Sequence, residues 1–318
     1  MKINTLDISK QIYAEDTLDV LINRYGEIGP HWTSSQMEWC NSIFKAFKDH
    51  DKFLIVMFLT MKTLSLYSRH FTKLTYDEFF SGDTFEIEKF NIVQISKNLN
   101  IPKESARRKI IELEKNGVIK RNKKNKIFID RSAFPFIKPI NSIIRISRFL
   151  AAFSQILTMD KILTKKISSI ELEKLIKDNF SYIWKIYYEF QIPMLLGYKK
   201  VFGDIETFHI FGTCVVNQHL YSQKKGKLVT RNEFLNALHT DNNMQGVNAM
   251  SISDITGIPR ATVVRKLKKL LKINCLIIDD KKHYRVSGNF VKKLMPLQKT
   301  VLNQLADFST KIYNLKIL

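Results

Sequence analysis

Two stretches of the chain carry the same functional groups in the same frame: IPKESARRKIIELEK at 101–115 and IPRATVVRKLKKLLK at 258–272. Each opens with Ile-Pro and then sets ammonium, guanidinium and hydroxyl groups within the next two turns. The first has Lys103, Ser105, Arg107 and Arg108; the second has Arg260, Thr262, Arg265 and Lys266. A guanidinium forks onto two acceptors at once, and a hydroxyl reaches a single anionic oxygen. Such groups bind anions. The motifs of phosphate loops, zinc proteases, serine hydrolases and dithiol centres (GxxxxGK[ST], HExxH, GxSxG, CxxC) do not occur. Seven His residues are scattered without metal-ligand spacing. The expected chemistry is recognition of a polyanion, with no catalysis, metal or cofactor.

The elements that must carry these groups follow from periodicity. Ahead of the first stretch, Ile92, Ile95 and Leu99 recur at helical spacing, and the helix is expected to break near Asn98-Leu99-Asn100, or at Thr256-Gly257 in the second. Asn and Gly tolerate left-handed backbone angles there. Pro102 and Pro259 then suit the first turn of a new helix, where the missing N–H costs nothing. In that helix Ala106, Ile110 and Leu113, or Val263, Leu267 and Leu270, form a core face, and Arg108 and Arg265 fall nearly opposite it. A short β-hairpin is expected after each helix, VIKRNKKNKIFID at 118–130 and CLIIDDKKHYRVS at 275–287, each with a basic turn.

The repetition is wider than the two stretches. Residues 95–130 align with 252–287 without a gap, and eight of the first twenty-five positions are identical, Lys109 and Lys266 among them. Upstream, Thr75-x-x-Glu78-Phe79 is echoed by Thr230-x-x-Glu233-Phe234, each a capping box that satisfies the free N–H groups of a helix start. Helices near 53–68 and 208–222 precede them. The expectation is an internal duplication of a unit of about 80 residues.

A helix, a tight turn, a second helix and a β-hairpin make the winged helix-turn-helix plan. Here the chain resembles the bacterial MarR and CRP-type regulators, over about 40 residues in each copy, in ISKNLNIPKESARRKIIELEKNGVI and ISDITGIPRATVVRKLKKLLK. The resemblance implies that Lys103, Ser105, Arg107 and Arg108, with Arg260, Thr262, Arg265 and Lys266, face the major groove of double-stranded DNA. Val264 stands where the first copy has Arg107, so the two copies are not expected to read identical half-sites. The wing cations, Arg121, Lys123, Lys124 and Lys126, then Lys281, Lys282 and Arg285, suit phosphates or the minor groove beside the helix.

Charge and length agree with that expectation. Fifty-one Lys and Arg stand against thirty Asp and Glu in 318 residues, a formal net charge of +21. Residues 102–126 and 259–285 each carry a net +7, so two thirds of the excess lies in 52 residues. The fold class expected is mainly α with small β-hairpin wings, two winged modules being joined by a helical frame. Its parts are an N-terminal helical segment (1–50), module one (51–131), a helical bridge (132–206), module two (207–288) and a C-terminal helix (289–318). The bridge is read as one long helix over 141–163 and a capped stretch (Ser168, Glu171) over 168–190; another capped start is read at Ser35 and Glu38. The function expected is a transcription regulator that reads DNA with two helices, 102–116 and 259–273, and alters RNA polymerase access. The alternatives are a plasmid- or phage-type replication initiator and a winged-helix scaffold that binds protein. The tandem would act as a pseudo-dimer, leaving homodimerisation open. Three unpaired cysteines and no apolar run long enough for a bilayer imply a cytoplasmic, nucleoid-associated chain without a membrane partner.

Overall fold

The computed structural model describes residues 7–124, 126–133, 139–225, 230, 232–233 and 246–318. It is mainly helical, with two small antiparallel sheets. In chain order the elements are α1 (Ala14–Asn23), α2 (Tyr25–Phe47), α3 (His50–Arg69), α4 (Tyr76–Phe79), β1 (Thr84–Ile87), α5 (Ile92–Leu99), α6 (Lys103–Lys115), β2 (Ile119–Arg121), β3 (Ile127–Asp130) and α7 (Ile140–Met159). There follow α8 (Ser169–Asp178), α9 (Phe180–Phe202), α10 (Ile205–Lys225), α11 (Ala249–Thr256), α12 (Arg260–Lys272), β4 (Leu276–Ile278), β5 (Tyr284–Val286) and α13 (Gly288–Ile317). A 3-10 turn at Ile8–Lys10 precedes α1.

Element lengths recur along the chain. Helices α8 and α9 start and end 155 residues after α1 and α2, and α10 starts 155 residues after α3. The pairs α5/α11, α6/α12 and β2/β4 are 157 apart at both ends. The caps recur too. Lys48 and Gly203, 155 apart, both close a long helix in the left-handed conformation.

Packing crosses between the two sets. Helix α3 lies on α9 while α10 lies on α2, and α1 lies on α13 while α7 lies on α8. One continuous core results. Trp39 meets Tyr187 edge-on at 6.1 Å, and Phe190 stacks on Phe308 at 5.9 Å. Tyr313, fully buried in α13, donates its hydroxyl to the Leu150 carbonyl of α7 at 2.7 Å.

The capping box read at Ser168 and Glu171 is present and starts α8; the chain breaks at Asn179, so residues 168–190 fall in two helices. One expectation needs correction. Ser35 and Glu38 cap nothing, because they lie in the middle of α2, whose N–H groups already bond within the helix. In the second half, most of the helix expected after Thr230 lies outside the described residues. Its two capping bonds are seen, Thr230 N to Glu233 Oε2 at 2.7 Å and Glu233 N to Thr230 Oγ1 at 3.2 Å.

Candidate nucleic-acid interface

The two basic stretches fold by the same local bonds. Asn91 and Asn248 cap α5 and α11 by accepting a backbone N–H through their side chains. Asn100 and Gly257 end those helices at φ 49° and 70°, the left-handed turn both residue types tolerate. Ser96 and Ser253 donate their hydroxyls across the turn to the carbonyls of Ile101 and Ile258, at 2.7 Å in each case. Pro102 and Pro259 stand at the N-caps of α6 and α12 with φ near −51° and −53°.

Helices α6 and α12 bury the faces that periodicity predicts: Ala106, Ile110 and Leu113, and Val263, Leu267 and Leu270, all at 3% exposure or less. Opposite those faces, Lys103, Arg107 and Arg108, and Arg260 and Arg265, are exposed; Ser105 and Thr262 are half-buried in the first turn. Arg108 has a long contact to Glu112 at 3.8 Å. Lys268 and Lys272 add two exposed cations to α12 that the sequence reading did not single out.

The hairpins are built alike as well. Asn122 Oδ1 accepts the N–H groups of Lys124 and Lys126, at 3.0 Å each; Asp279 Oδ1 does the same for Lys281 and His283. These bonds hold the turns so that Lys123, Lys124, Lys281 and Lys282 stand exposed at the tips. Other wing cations are engaged within the protein. Arg121 Nε bonds Glu114 at 2.9 Å and lies over the Phe90 ring, Lys126 bonds Glu86 at 2.8 Å, and Arg285 is half-buried. Arg121 and Lys126 are exposed salt bridges of little strength, so a phosphate can displace either carboxylate.

Lys266 departs from expectation. Its side chain is 9% exposed and its ammonium bonds Asp204 Oδ2 at 2.6 Å, with Glu206 at 3.9 Å. It faces inward between the core positions and is not available to DNA. Lys109, its counterpart 157 residues earlier, makes the same arrangement with Asp49 and Asp51. Asp49 and Asp204 are themselves the caps of α3 and α10: Asp49 accepts the N–H groups of Asp51 and Lys52, Asp204 that of Thr207. Each buried lysine thus ties α6 or α12 to the positive end of a frame helix. Partial burial raises the pKa of both aspartates, and the lysine and N–H bonds outweigh it, so both end below the usual carboxylate range. The identity of Lys109 and Lys266 was visible in the sequence, but the carboxylates lie about 60 residues away and no local pattern announces them.

The two anchors meet in the frame. His50, at the start of α3, packs edge-on against His209 of α10 at 5.3 Å, and His209 Nε2 lies 2.6 Å from Asn41 Oδ1. Lys199 of α9 bonds Asp51 at 2.9 Å, so α9 also grips the start of α3. Burial is the largest influence on His50 and drives its pKa down to about 4, so it is neutral at physiological pH.

Among the described residues there is no group of three or more His, Cys, Asp or Glu able to hold a metal ion, and no helix long and apolar enough to cross a membrane. No protein-family model matches the chain, and neither a curated protein nor a solved structure matches it.

Proposed function

We propose that the chain is a sequence-specific double-stranded DNA-binding protein, acting as a transcription regulator through two winged helix-turn-helix modules on one helical frame. The observation that carries this reading is the paired construction of α6 and α12. Each is seated by the same turn, cap and buried lysine, and each presents exposed Lys and Arg from its first two turns beside a basic hairpin. A helix start with free cations and a positive dipole end suits the major groove, and the hairpin tips suit the flanking phosphates.

The recurrence of elements from α1 to β5 supports reading the chain as a duplication wider than the winged modules, two halves forming a covalent pseudo-dimer. The exchanged packing, α3 on α9 with α10 on α2, is what an isologous pair makes. Two reading helices related in that way present themselves to DNA in opposed orientation. The site is then an imperfect inverted repeat, with half-sites that differ because Arg107 is replaced by Val264 and Glu104 by Ala261. A replication initiator reading direct repeats fits this arrangement less well. Titration of a labelled duplex at several salt concentrations tests the reading. The expected result is one chain per duplex and a log–log salt slope of several units on a selected site. Equal affinity for all sequences would remove the regulator reading.

A further inference from the structure

Two cavities occupy corresponding positions in the frame, and their linings differ. The first encloses about 670 Å³ of empty space, its mouth included, where α2, α9, α10 and α13 meet. The second, about 710 Å³, lies where α9, α2, α3 and α7 meet. Met194, Phe208 and Val215 of the first stand 155 residues after Trp39, Phe53 and Thr60 of the second. A gap that recurs at one place under different side chains is held open by the helix crossings rather than by one badly fitting residue.

The cavities differ in what they ask of an occupant. Arg131 lines the second. Its guanidinium is spent on the carbonyls of Phe79, Gly82 and Asp83 and lies over three Phe rings, so nothing there is left over. In the first, no lining residue is charged, and Trp32, Phe208 and Phe211 give it aromatic walls. Gln36 lines it, 5% exposed. Its Oε1 is buried without a hydrogen-bond partner. A buried amide oxygen left unpaired costs about 1–3 kcal/mol, a cost that an N–H or O–H donor from a ligand removes.

The walls also reach the reading machinery. Helix α10 packs so closely on α2 that a methyl group on Gly212 would lie 2.2 Å from Met37 Sδ. Asp204, the cap of α10, holds Lys266 of α12. An occupant that moves α10 against α2 moves the second reading helix with it, whereas α6 hangs on α3 through Asp49 and is reached less directly, through Lys199 on Asp51 and His209 against His50.

We propose that this cavity binds one uncharged, ring-containing small molecule that donates a hydrogen bond to Gln36 Oε1, and that occupancy acts more strongly on the second reading helix than on the first. The binding part stands on the cavity; the coupling rests on the DNA reading above. The test is calorimetric titration of the full chain, without DNA, with indole as the probe: a flat, uncharged ring system with one N–H donor. Binding of one indole per chain is expected. Thr33→Tyr, which places in the first cavity the Tyr188 side chain found at the corresponding position of the second, should abolish it. Gln36→Leu should weaken it about tenfold, the loss of one buried hydrogen bond. Thermal unfolding verifies that each variant is folded, and Gln36→Leu, close in size, carries the test should Thr33→Tyr not fold. Absence of heat at millimolar indole, two sites per chain, or unchanged binding by Gln36→Leu overturns the site. In a footprint on the selected duplex, indole should weaken protection of the half-site read by α12 more than that of the other. Indole binding with protection unchanged, or equally weakened at both half-sites, overturns the coupling and leaves the DNA reading intact. No protection without indole fails the DNA reading and leaves the site standing.

Discussion

The two reading heads share a scaffold and divide their charge differently. Helix α6 carries five cations but also Glu104, Glu112 and Glu114, and Glu112 is tied to Lys52 of α3 at 2.6 Å. Helix α12 carries six cations and no acid. In the hairpins the balance reverses: residues 119–130 hold five cations and one Asp, whereas 276–287 hold three cations and two Asp. The first head therefore concentrates its attraction in the wing, and the second in the helix. Phosphate attraction positions a protein while side-chain donors to base edges discriminate. On the proposed DNA reading, the first, with a partly neutralised helix that keeps Arg107 and Arg108, is expected to be the more discriminating.

The sharpest way to break this comparison is at what the heads share. Lys109→Met leaves the capping Asp49 without an ammonium, whereas Lys266→Met leaves Asp204 with the more distant Lys269 at 3.5 Å. Asp49 and Asp204 are partly exposed, which limits the loss to about 1–3 kcal/mol of stability in denaturant titrations. A loss at both sites, the larger at Lys109, supports equivalent seating; a loss at only one site contradicts it. Next come the groove residues. Arg108→Ala and Arg265→Ala should each cost about 1–3 kcal/mol on the selected duplex, measured by anisotropy, with relaxed specificity at one half-site only. An equal loss on every sequence would make them phosphate anchors.

Much of this was legible in the sequence because it is local. Ile95, Leu99, Ala106, Ile110 and Leu113 show a helical period, Asn100 and Gly257 mark the turn, and Thr75 with Glu78 marks a cap. What was not legible is carried by distant pairs. Nothing near Lys266 tells of Asp204, and a cation inside a basic run reads as a surface charge until its neighbour is known. The recurrence of α1 and α2 as α8 and α9 also escaped, since those helices keep their lengths and the conformation of their C-terminal caps rather than residues: Lys48 and Gly203 share a conformation and not an identity. The break at Asn179 was hidden because α8 and α9 follow one another across a single residue.

Smaller effects sharpen the contrast. Replacing Lys123 and Lys124 together by Ala should lower the salt slope by about 2, one per phosphate contact. The same change at Lys281 and Lys282, beside Asp279 and Asp280, should lower it less. A pH series separates the frame from the heads. His50 is held neutral, its pKa lowered from 6.5 to about 4, mainly by burial. In that window the unfolded chain takes up a proton that the folded chain refuses. His50 thus contributes stability that is complete above about 6.5 and lost as pH falls toward 4. His50→Phe should lessen the fall of the denaturation midpoint between those values, the rest of which belongs to His209 and His219, also held neutral by burial. Asp130 acts lower: burial raises its pKa, but Lys120 and Ser132 bring it to about 2, so its contribution is lost as pH falls from the ordinary carboxylate range toward 2. Asp130→Asn should lessen that last step, which Asp49 and Asp204, also held low, share.

The most direct measurement is selection of binding sites from random duplex DNA by the purified chain at near-physiological salt. The account predicts enrichment of two dissimilar half-sites in inverted orientation at one fixed spacing, bound by a single chain. Half-sites in direct orientation, spacing that varies freely, or no enriched sequence would contradict it.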